Sequence, residues 1–584
     1  MPGPNRPHSG PFFGVRGTPA GFTARAFTKA MGFTDEDIEK PVIGIAQTWS
    51  EFNNCNAHLR QVAEAVKRGI WQSGGLPLEF PTISLGEVHT KPTTMLFRNL
   101  MAMDTEEMIR AQPMDGVVLL SGCDKTTTAQ LMGAASADIP TIMVTGGPML
   151  NGRYHGAELG ACTDCGRYIT EFRAGNLSVE DFCGIEDRIC RSAGHCMVMG
   201  TASTMACLAE AMGMQLPGSA AIPAPDVRRL QIAELSGRMI CDLVQRGIKL
   251  SDIVTRKSLE NAIRVMMALG GSTNAVIHLV AIAGRLGIDL PLTLFDELSK
   301  STPFLTNVKP SGAFQMEELF EAGGVPAVMH ELAPLLHTDV MTVAGKPLAE
   351  TIQHFRPSRD RDLVRPLADP ISPEGGTAIL FGNLAPDGAV IKQSAASPAL
   401  LQHRGRAVVF TSGDDLRARF DDPDLDIGPD DVMVLQNAGP VGNPGMPEIG
   451  YMPIPAKLLR QGVRDLVRIS DARMSGTSYG TIVLHIAPEA AIGGPLALVR
   501  TGDWIALDVP NRSLTLDVPE DELARRRAEW RPPPRRFERG YVRLYVEHVL
   551  QAPDGCDFDF LRHKPRHSAC RYRPRAGCGS ARRN

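Results

Sequence analysis

Over the first 340 residues, unbroken apolar runs alternate with segments of helical periodicity. PVIGIAQT, from Pro41, leads into HLRQVAEAVKRGIWQSGG, whose apolar positions recur at helical spacing until Gly74 and Gly75 stop them. FPTISLG, from Phe80, leads to a helical stretch over Thr93 to Gln112. MDGVVLLSG, from Met114, leads into TTTAQLMGAAS, and IPTIMVTGG, from Ile139, ends the series. Apolar runs without polar alternation predict strands buried on both faces, as in a parallel sheet covered by helices. From Asp226 to Arg285 the pattern is mostly helical, broken at GGSTN (Gly270–Asn274).

The character changes near residue 355, where HFRPSRDRDLVRPLADPISPEGG is charged, Pro-rich and aperiodic, the composition of a linker. Short strand-like pieces follow: TAILFGNLAPDGAVIK, RAVVF, DVMVLQN, and WIALDVPNRSLTLDV, a hairpin turning near Pro510–Asn511–Arg512. EDELARRRAEW is helical. The fold class expected is α/β. An N-terminal α/β unit with a parallel sheet covers 1–360, and a β-rich, barrel-like unit covers 373–560. A tail over 561–584, with eight Lys/Arg and no acid, is expected to be disordered.

Composition removes some classes. The chain has 584 residues, of which 22% are charged and 43% hydrophobic, with a formal net charge of −4. That is the balance of a globular enzyme without the basic bias of a nucleic-acid-binding protein. The most apolar stretch, AVIHLVAIAG (Ala275–Gly284), is about half a bilayer span and contains His278. The N-terminal MPGPNRPHSGPFFGVRG lacks the apolar core of a secretory signal, so a cytoplasmic location without membrane partners is expected. In a reducing compartment the 12 cysteines are thiols, ligands or catalysts before they are disulfides.

Three cysteines occupy distinctive places. Cys55 follows a predicted strand, Cys123 ends another in LLSGCDKTTT, and Cys196 lies in SAGHCMVMGTAST before a helical run. Strand C-termini in an open α/β sheet are where ligands bind. Three thiolates suit an iron–sulfur cluster, with one iron lacking a full thiolate set and open as a Lewis acid. By spacing alone each reads first as an ordinary buried thiol, as most free cysteines are. Glu87, Asp124 and Glu448, with Lys125 beside them, offer oxygen chemistry for Mg²⁺; singly, each acid also suits a solvated surface. SDARMSGTSYG holds Asp471, Arg473, Ser475, Gly476 and Thr477 without the flanks of an esterase nucleophile. Cys162, Cys165, Cys183 and Cys190 have a zinc- or thiol-redox look, the second pair being widely spaced. His330 and His337 are seven apart with Pro334 between them, so they are not a zinc helix. GPVGNPG has neither the P-loop nor the dinucleotide spacing.

In order, FNNCN, SGCDKTT, TGGPMLNGRYHG, AGHCMVMGTAST, GGSTNAVIHL, GNLAPDGAVIK, RISDARMSGTSYG and GGPLALVRTGD resemble the dihydroxy-acid/6-phosphogluconate dehydratase family over roughly residues 35 to 560. GCDKTT and GGPMLNG look more like its sugar-acid (aldonate) branch than its branched-chain biosynthetic branch. The resemblance implies a cluster-bearing N-terminal α/β domain closed by a C-terminal barrel-like domain. It implies Cys55, Cys123 and Cys196 as ligands of a [2Fe–2S] cluster, and Glu87, Asp124 and Glu448 as Mg²⁺ ligands. Lys125, carbamylated, would join the Mg²⁺ set, with Ser475 the base and Thr477 beside the leaving hydroxyl. The other four cysteines would then be non-ligands. The implied reaction dehydrates a 2,3-dihydroxy sugar acid to a 2-keto-3-deoxy acid, in a homodimer or dimer of dimers. The alternatives are a branched-chain dihydroxy-acid dehydratase and, in another class, a non-catalytic zinc- or thiol-binding protein. The family's C-terminal histidine is not matched by the sequence after DFDFL, where His563 and His567 are the available imidazoles.

Overall fold

A computed structural model describes residues 5–161, 163–173, 175–534 and 537–563. Its first sheet is built from β1 (Val42–Gln47), β2 (Leu76–Pro81), β3 (Gly116–Ser121) and β4 (Thr141–Thr145), all parallel, in the order β2-β1-β3-β4. Every residue of β1, β3 and β4 is buried, which is why these strands appear in sequence as continuous apolar runs. The crossovers are helical: α1 (Leu59–Gln72) joins β1 to β2, α2 (Thr94–Ala111) joins β2 to β3, and α3 (Asp124–Ala137) joins β3 to β4.

Further helices complete this core. They are α4 (Thr201–Ala211), α5 (Val227–Arg246), α6 (Arg256–Leu269) and α7 (Asn274–Arg285). All twelve residues of α7 are buried, so the most apolar stretch of the chain is a central helix of a protein interior. Among the described residues no helix is long and apolar enough to cross a membrane. The GGSTN break is real: α6 ends at Leu269 with Gly270 in the left-handed region at φ 57°, and α7 restarts at Asn274.

Eight strands close a barrel: β5 (Ala378–Gly382), β6 (Ala385–Ile391), β7 (Gln402–Phe410), β8 (Val432–Leu435), β9 (Arg468–Ser470), β10 (Ile482–Ala487), β11 (Trp504–Asp508) and β12 (Ser513–Asp517). Their order around the barrel is β8-β9-β10-β6-β5-β12-β11-β7. β7, β8, β9 and β10 run parallel to one another, while the expected β11–β12 hairpin is antiparallel. The barrel interior is filled by one face of these strands, including Leu380, Ile391, Val409, Val434, Ile469 and Val483. Ile379 and Val390, on the opposite face of β5 and β6, belong instead to the core of the N-terminal region.

After the barrel, α8 (Gly540–His548) carries the chain back across α2. Tyr541 donates to the Leu96 carbonyl, and Arg98 and Asn99 reach the carbonyls of Gly555 and Cys556. Asp557 pairs with Arg285 at 2.6 Å, both side chains being fully buried. Of the expected tail, residues 564–584 lie outside the described residues.

Candidate active site

The three cysteine-bearing loops converge at the C-terminal end of β3. Cys123 is the last residue before α3; its N–H donates to Thr126 Oγ1 at 3.1 Å, and its carbonyl accepts from the Thr127 N–H. The Cys55 thiol hydrogen-bonds to that of Cys123, and this contact, burial and the Asp124 carboxylate push the Cys123 thiol well above its ordinary range. Gly122 is required by the approach of the two loops, because a Cβ there would sit 2.2 Å from the Cys55 carbonyl oxygen. The third loop is tied to the first through Asn54. The Gly194 N–H donates to the Asn54 carbonyl at 3.1 Å, and Asn54 Nδ2 returns to the Gly194 carbonyl at 3.3 Å. The Cys196 carbonyl accepts from Ser203 Oγ at 2.9 Å, and Cys196 stands close to Gly200, against which Thr477 packs.

A second cluster begins one residue further on. The buried Lys125 ammonium lies 2.7 Å from Asp124 Oδ2, 3.2 Å from Glu448 Oε1 and 3.4 Å from Glu87 Oε2. Glu87 is held by the hydroxyls of Thr93 and Thr94, and Glu448 accepts from Arg473 and Asn274, each at 3.0 Å. Burial opposes ionisation of Glu87 and Asp124, but neighbouring cations outweigh it and hold both carboxyls below the usual range. The same three acids, against burial, keep Lys125 protonated far up the scale.

Behind Asp124 stands His278, whose Nε2 is 3.6 Å from Asp124 Oδ2 and whose Nδ1 faces Arg98 Nη1 at 3.3 Å. Burial pulls this imidazole down to about 3, so it is neutral. A guanidinium only donates, so Nδ1 accepts and the ring proton resides on Nε2, aimed at Asp124.

The barrel contributes the Ser475–Thr477 turn, which packs beside Gly200 and Cys196. Ser475 Oγ and Thr477 Oγ1 are 2.8 Å apart, and the Thr477 N–H donates to Ser475 Oγ at 3.4 Å. Gly476 fits because a Cβ there would lie 2.6 Å from Ser272 Oγ and 2.7 Å from the Thr201 nitrogen. Asn274 Nδ2 ties the layers together, reaching Glu448, Thr201 Oγ1 and the Met474 carbonyl.

The donor chemistry fits two different groups. Three thiols on converging loops suit soft iron, and a buried all-oxygen set gathered around one cation suits Mg²⁺. Asn274 Oδ1 is a buried acceptor without a hydrogen-bond donor beside this set, and it matches space reserved for a cation. Among the described residues no three His, Cys, Asp or Glu side chains close on one point as they stand; the Lys125 ammonium is stationed among the carboxylates.

All nine residues singled out for chemistry therefore fall in this one region. The decoys take other positions. Cys183 and Cys190 are exposed, Cys165 packs against the small apolar cluster that Cys196 also borders, and Cys162 lies outside the described residues. His563 donates its N–H to the Gly284 carbonyl at the C-terminal end of α7, roughly 15 Å along the helix from Asn274; His567 is outside the described residues. Sequence reasoning gave no role to Arg98, Asn274, His278 or Arg473. A signal existed for two of them, since Asn274 and His278 are i,i+4 polar residues on an otherwise apolar helix.

Comparison with known proteins agrees with this geometry. Residues 40–351 match the dihydroxy-acid/6-phosphogluconate dehydratase N-terminal domain, and residues 362–556 match the C-terminal domain of the same family. An L-arabonate dehydratase of Azospirillum brasilense is 53% identical over 93% of this chain and 94% of its own. A 6-deoxy-6-sulfo-D-gluconate dehydratase of Pseudomonas putida is 50% identical over 90% and 92%, respectively. A dihydroxy-acid dehydratase of Methanothrix thermoacetophila is 43% identical over 91% and 96%. The non-catalytic reading of the cysteines is thereby set aside. The chain belongs to the dihydroxy-acid/6-phosphogluconate dehydratase family, on its sugar-acid side, and is a hydro-lyase.

Proposed function

We propose that this hydro-lyase dehydrates a sugar acid, an aldonate carrying hydroxyls at C2 and C3, to the 2-keto-3-deoxy acid. The observation that carries the reading is the adjacency of a soft and a hard donor set, joined through the consecutive residues Cys123, Asp124 and Lys125. The names of the relatives at 50–53% identity support an aldonate over a methyl-branched acid. Cys55, Cys123 and Cys196 would hold a [2Fe–2S] cluster; Glu87, Asp124, Glu448 and a carbamylated Lys125 would hold Mg²⁺. Bound there, the two groups supply Lewis acidity to the departing C3 hydroxyl and to the charge developing on the carboxylate and C2 oxygen.

The chain's own residues handle the protons and the geometry. Ser475 Oγ takes the C2 proton while the C3–O bond breaks and the C2–C3 double bond forms. The hydroxide leaves with a proton as water, and the enol tautomerises to the ketone. A serine is a weak base at its ordinary pKa, so donors to its oxygen decide whether the step is feasible. Here the Thr477 N–H donates to it at 3.4 Å, and the Thr477 hydroxyl, 2.8 Å away, is within reach to donate when charge gathers on the serine oxygen. Thr477 also shares the side of the turn nearest Cys196, which suits it to orient the leaving hydroxyl. Arg473 and Asn274 fix Glu448, and the Thr93 and Thr94 hydroxyls fix Glu87, so the carboxylates are preorganised.

The test is a panel of aldonates and of 2,3-dihydroxy-3-methylbutanoate given to protein purified without oxygen and supplied with Mg²⁺, with 2-keto acid measured. Aldonate turnover that Ser475→Ala abolishes is expected. Turnover of the branched acid alone refutes the substrate class, and full activity in Ser475→Ala refutes the base.

A further inference from the structure

One buried cation in this region has no role in the scheme above. Lys392 follows the last residue of β6, and its side chain is 1% exposed. Strand alternation places it on the same face as Val390, away from the barrel interior and toward the N-terminal core. Its Nζ reaches the Gly476 carbonyl oxygen at 3.5 Å. Burial alone moves this amine, down to about 7, and no described carboxylate compensates it. An amine placed so is costly to the fold, and costly buried polar groups mark function more often than stability.

What it touches gives it a use. The Gly476 carbonyl and the Thr477 N–H are the two ends of one planar peptide unit. Lys392 holds the oxygen end, and the nitrogen end donates to Ser475 Oγ. Gly476 itself is pressed against Ser272 and Thr201, so the turn is pinned from the N-terminal side as well. We infer that Lys392 is a positioning residue: from the barrel it anchors the Gly476–Thr477 peptide plane and so keeps an N–H aimed at the oxygen of Ser475. The deepening rests on the proposed reaction, in which that oxygen must accept a proton. Drawing electron density toward the carbonyl also strengthens the N–H as a donor, since hydrogen bonds in series polarise one another. Without the amine the plane loses its anchor on the barrel side, and the donor to Ser475, whose value is greatest as negative charge gathers on that oxygen, is held less firmly.

The test is Lys392→Met, which keeps the stem and removes the amine. Four quantities are read: kcat, KM, the thermal midpoint, and amide hydrogen exchange in peptides covering residues 475–478. The expected result is a kcat at least about ten-fold lower with KM within about three-fold, because a transition-state interaction is lost and ground-state binding is not. The midpoint should stay level or rise, and exchange in the turn should quicken. Unchanged kcat or unchanged exchange overturns the inference. So does a fall in midpoint accompanying the loss of activity, or a variant that does not fold, since either makes the lysine a structural support. If the wild type converts no sugar acid, the proposed reaction fails separately, and the exchange measurement still decides whether Lys392 anchors the turn.

Discussion

Gly122→Ala is a one-carbon change that should disable the thiol site. The added Cβ would lie 2.2 Å from the Cys55 carbonyl oxygen and 2.5 Å from Asn56 Oδ1, where ordinary contact begins at 3.4 Å. One loop must therefore retreat by about 1 Å in an interior packed at crystal density. Neither loop is free to do so. Asn56 Nδ2 is bonded to the Thr48 carbonyl and hydroxyl, the Thr48 hydroxyl donates to the Leu120 carbonyl on β3, and Cys123 caps α3. Overpacking of this kind costs about 1–3 kcal/mol, small enough for the protein to fold. The consequence for the site is larger, because a displacement of about 1 Å in a preorganised constellation is enough to defeat it. The assay compares wild type and variant, both purified and reconstituted without oxygen, for iron, sulfide and thermal midpoint. A folded variant with little iron and no keto-acid formation is expected. Wild-type iron content with full activity would refute the claim that Cys55 and Cys123 must approach through Gly122.

The other predictions address charge. Lys125→Met should lower the stability of metal-free protein by about 3 kcal/mol in urea titrations, because it strands the buried Asp124 carboxylate and takes a cation from the half-buried Glu87 and Glu448; an unchanged midpoint would show the acids to be solvated. Replacing His278 by Leu removes the proton aimed at Asp124 and should weaken Mg²⁺ activation about 10–100-fold, read by metal titration of activity; an unchanged titration curve would deny the imidazole a part in orienting Asp124. Asp471 is raised to about 7 by burial and by Glu489. A carboxyl whose folded pKa is raised contributes stability that is present below about pH 4 and lost as pH rises toward about 7. The stability of wild type relative to Asp471→Asn should therefore fall over that window, by no more than about 1.4 kcal/mol per pH unit; a gap that widens with pH would reverse the sign of the argument.

The N-terminal architecture was legible because strands buried on both faces leave continuous apolar runs, and the first three of these runs end in loops that carry site residues. Cys123, Asp124 and Lys125 could be found because position at a strand end, residue type and family motif coincide. The barrel was only half legible. β9 is three residues long, too short for a periodic pattern, and β10 (Ile482–Ala487) pairs in parallel with β9 on one side and antiparallel with the sequence-remote β6 on the other, a mixed arrangement no local pattern encodes. The return of residues 555–557 to Arg98 and Arg285 was equally invisible, since its partners lie some 270 to 460 positions away. The same holds for Lys392, whose meaning rests on a contact with Gly476, 84 residues on.

The most direct measurement of the central claim is the iron, acid-labile sulfide and zinc content of the full chain purified without oxygen, with its visible spectrum. The account predicts about two irons and two sulfides per chain with brown absorption, lost together in Cys123→Ser. Zinc without sulfide, or iron that survives Cys123→Ser, would contradict it.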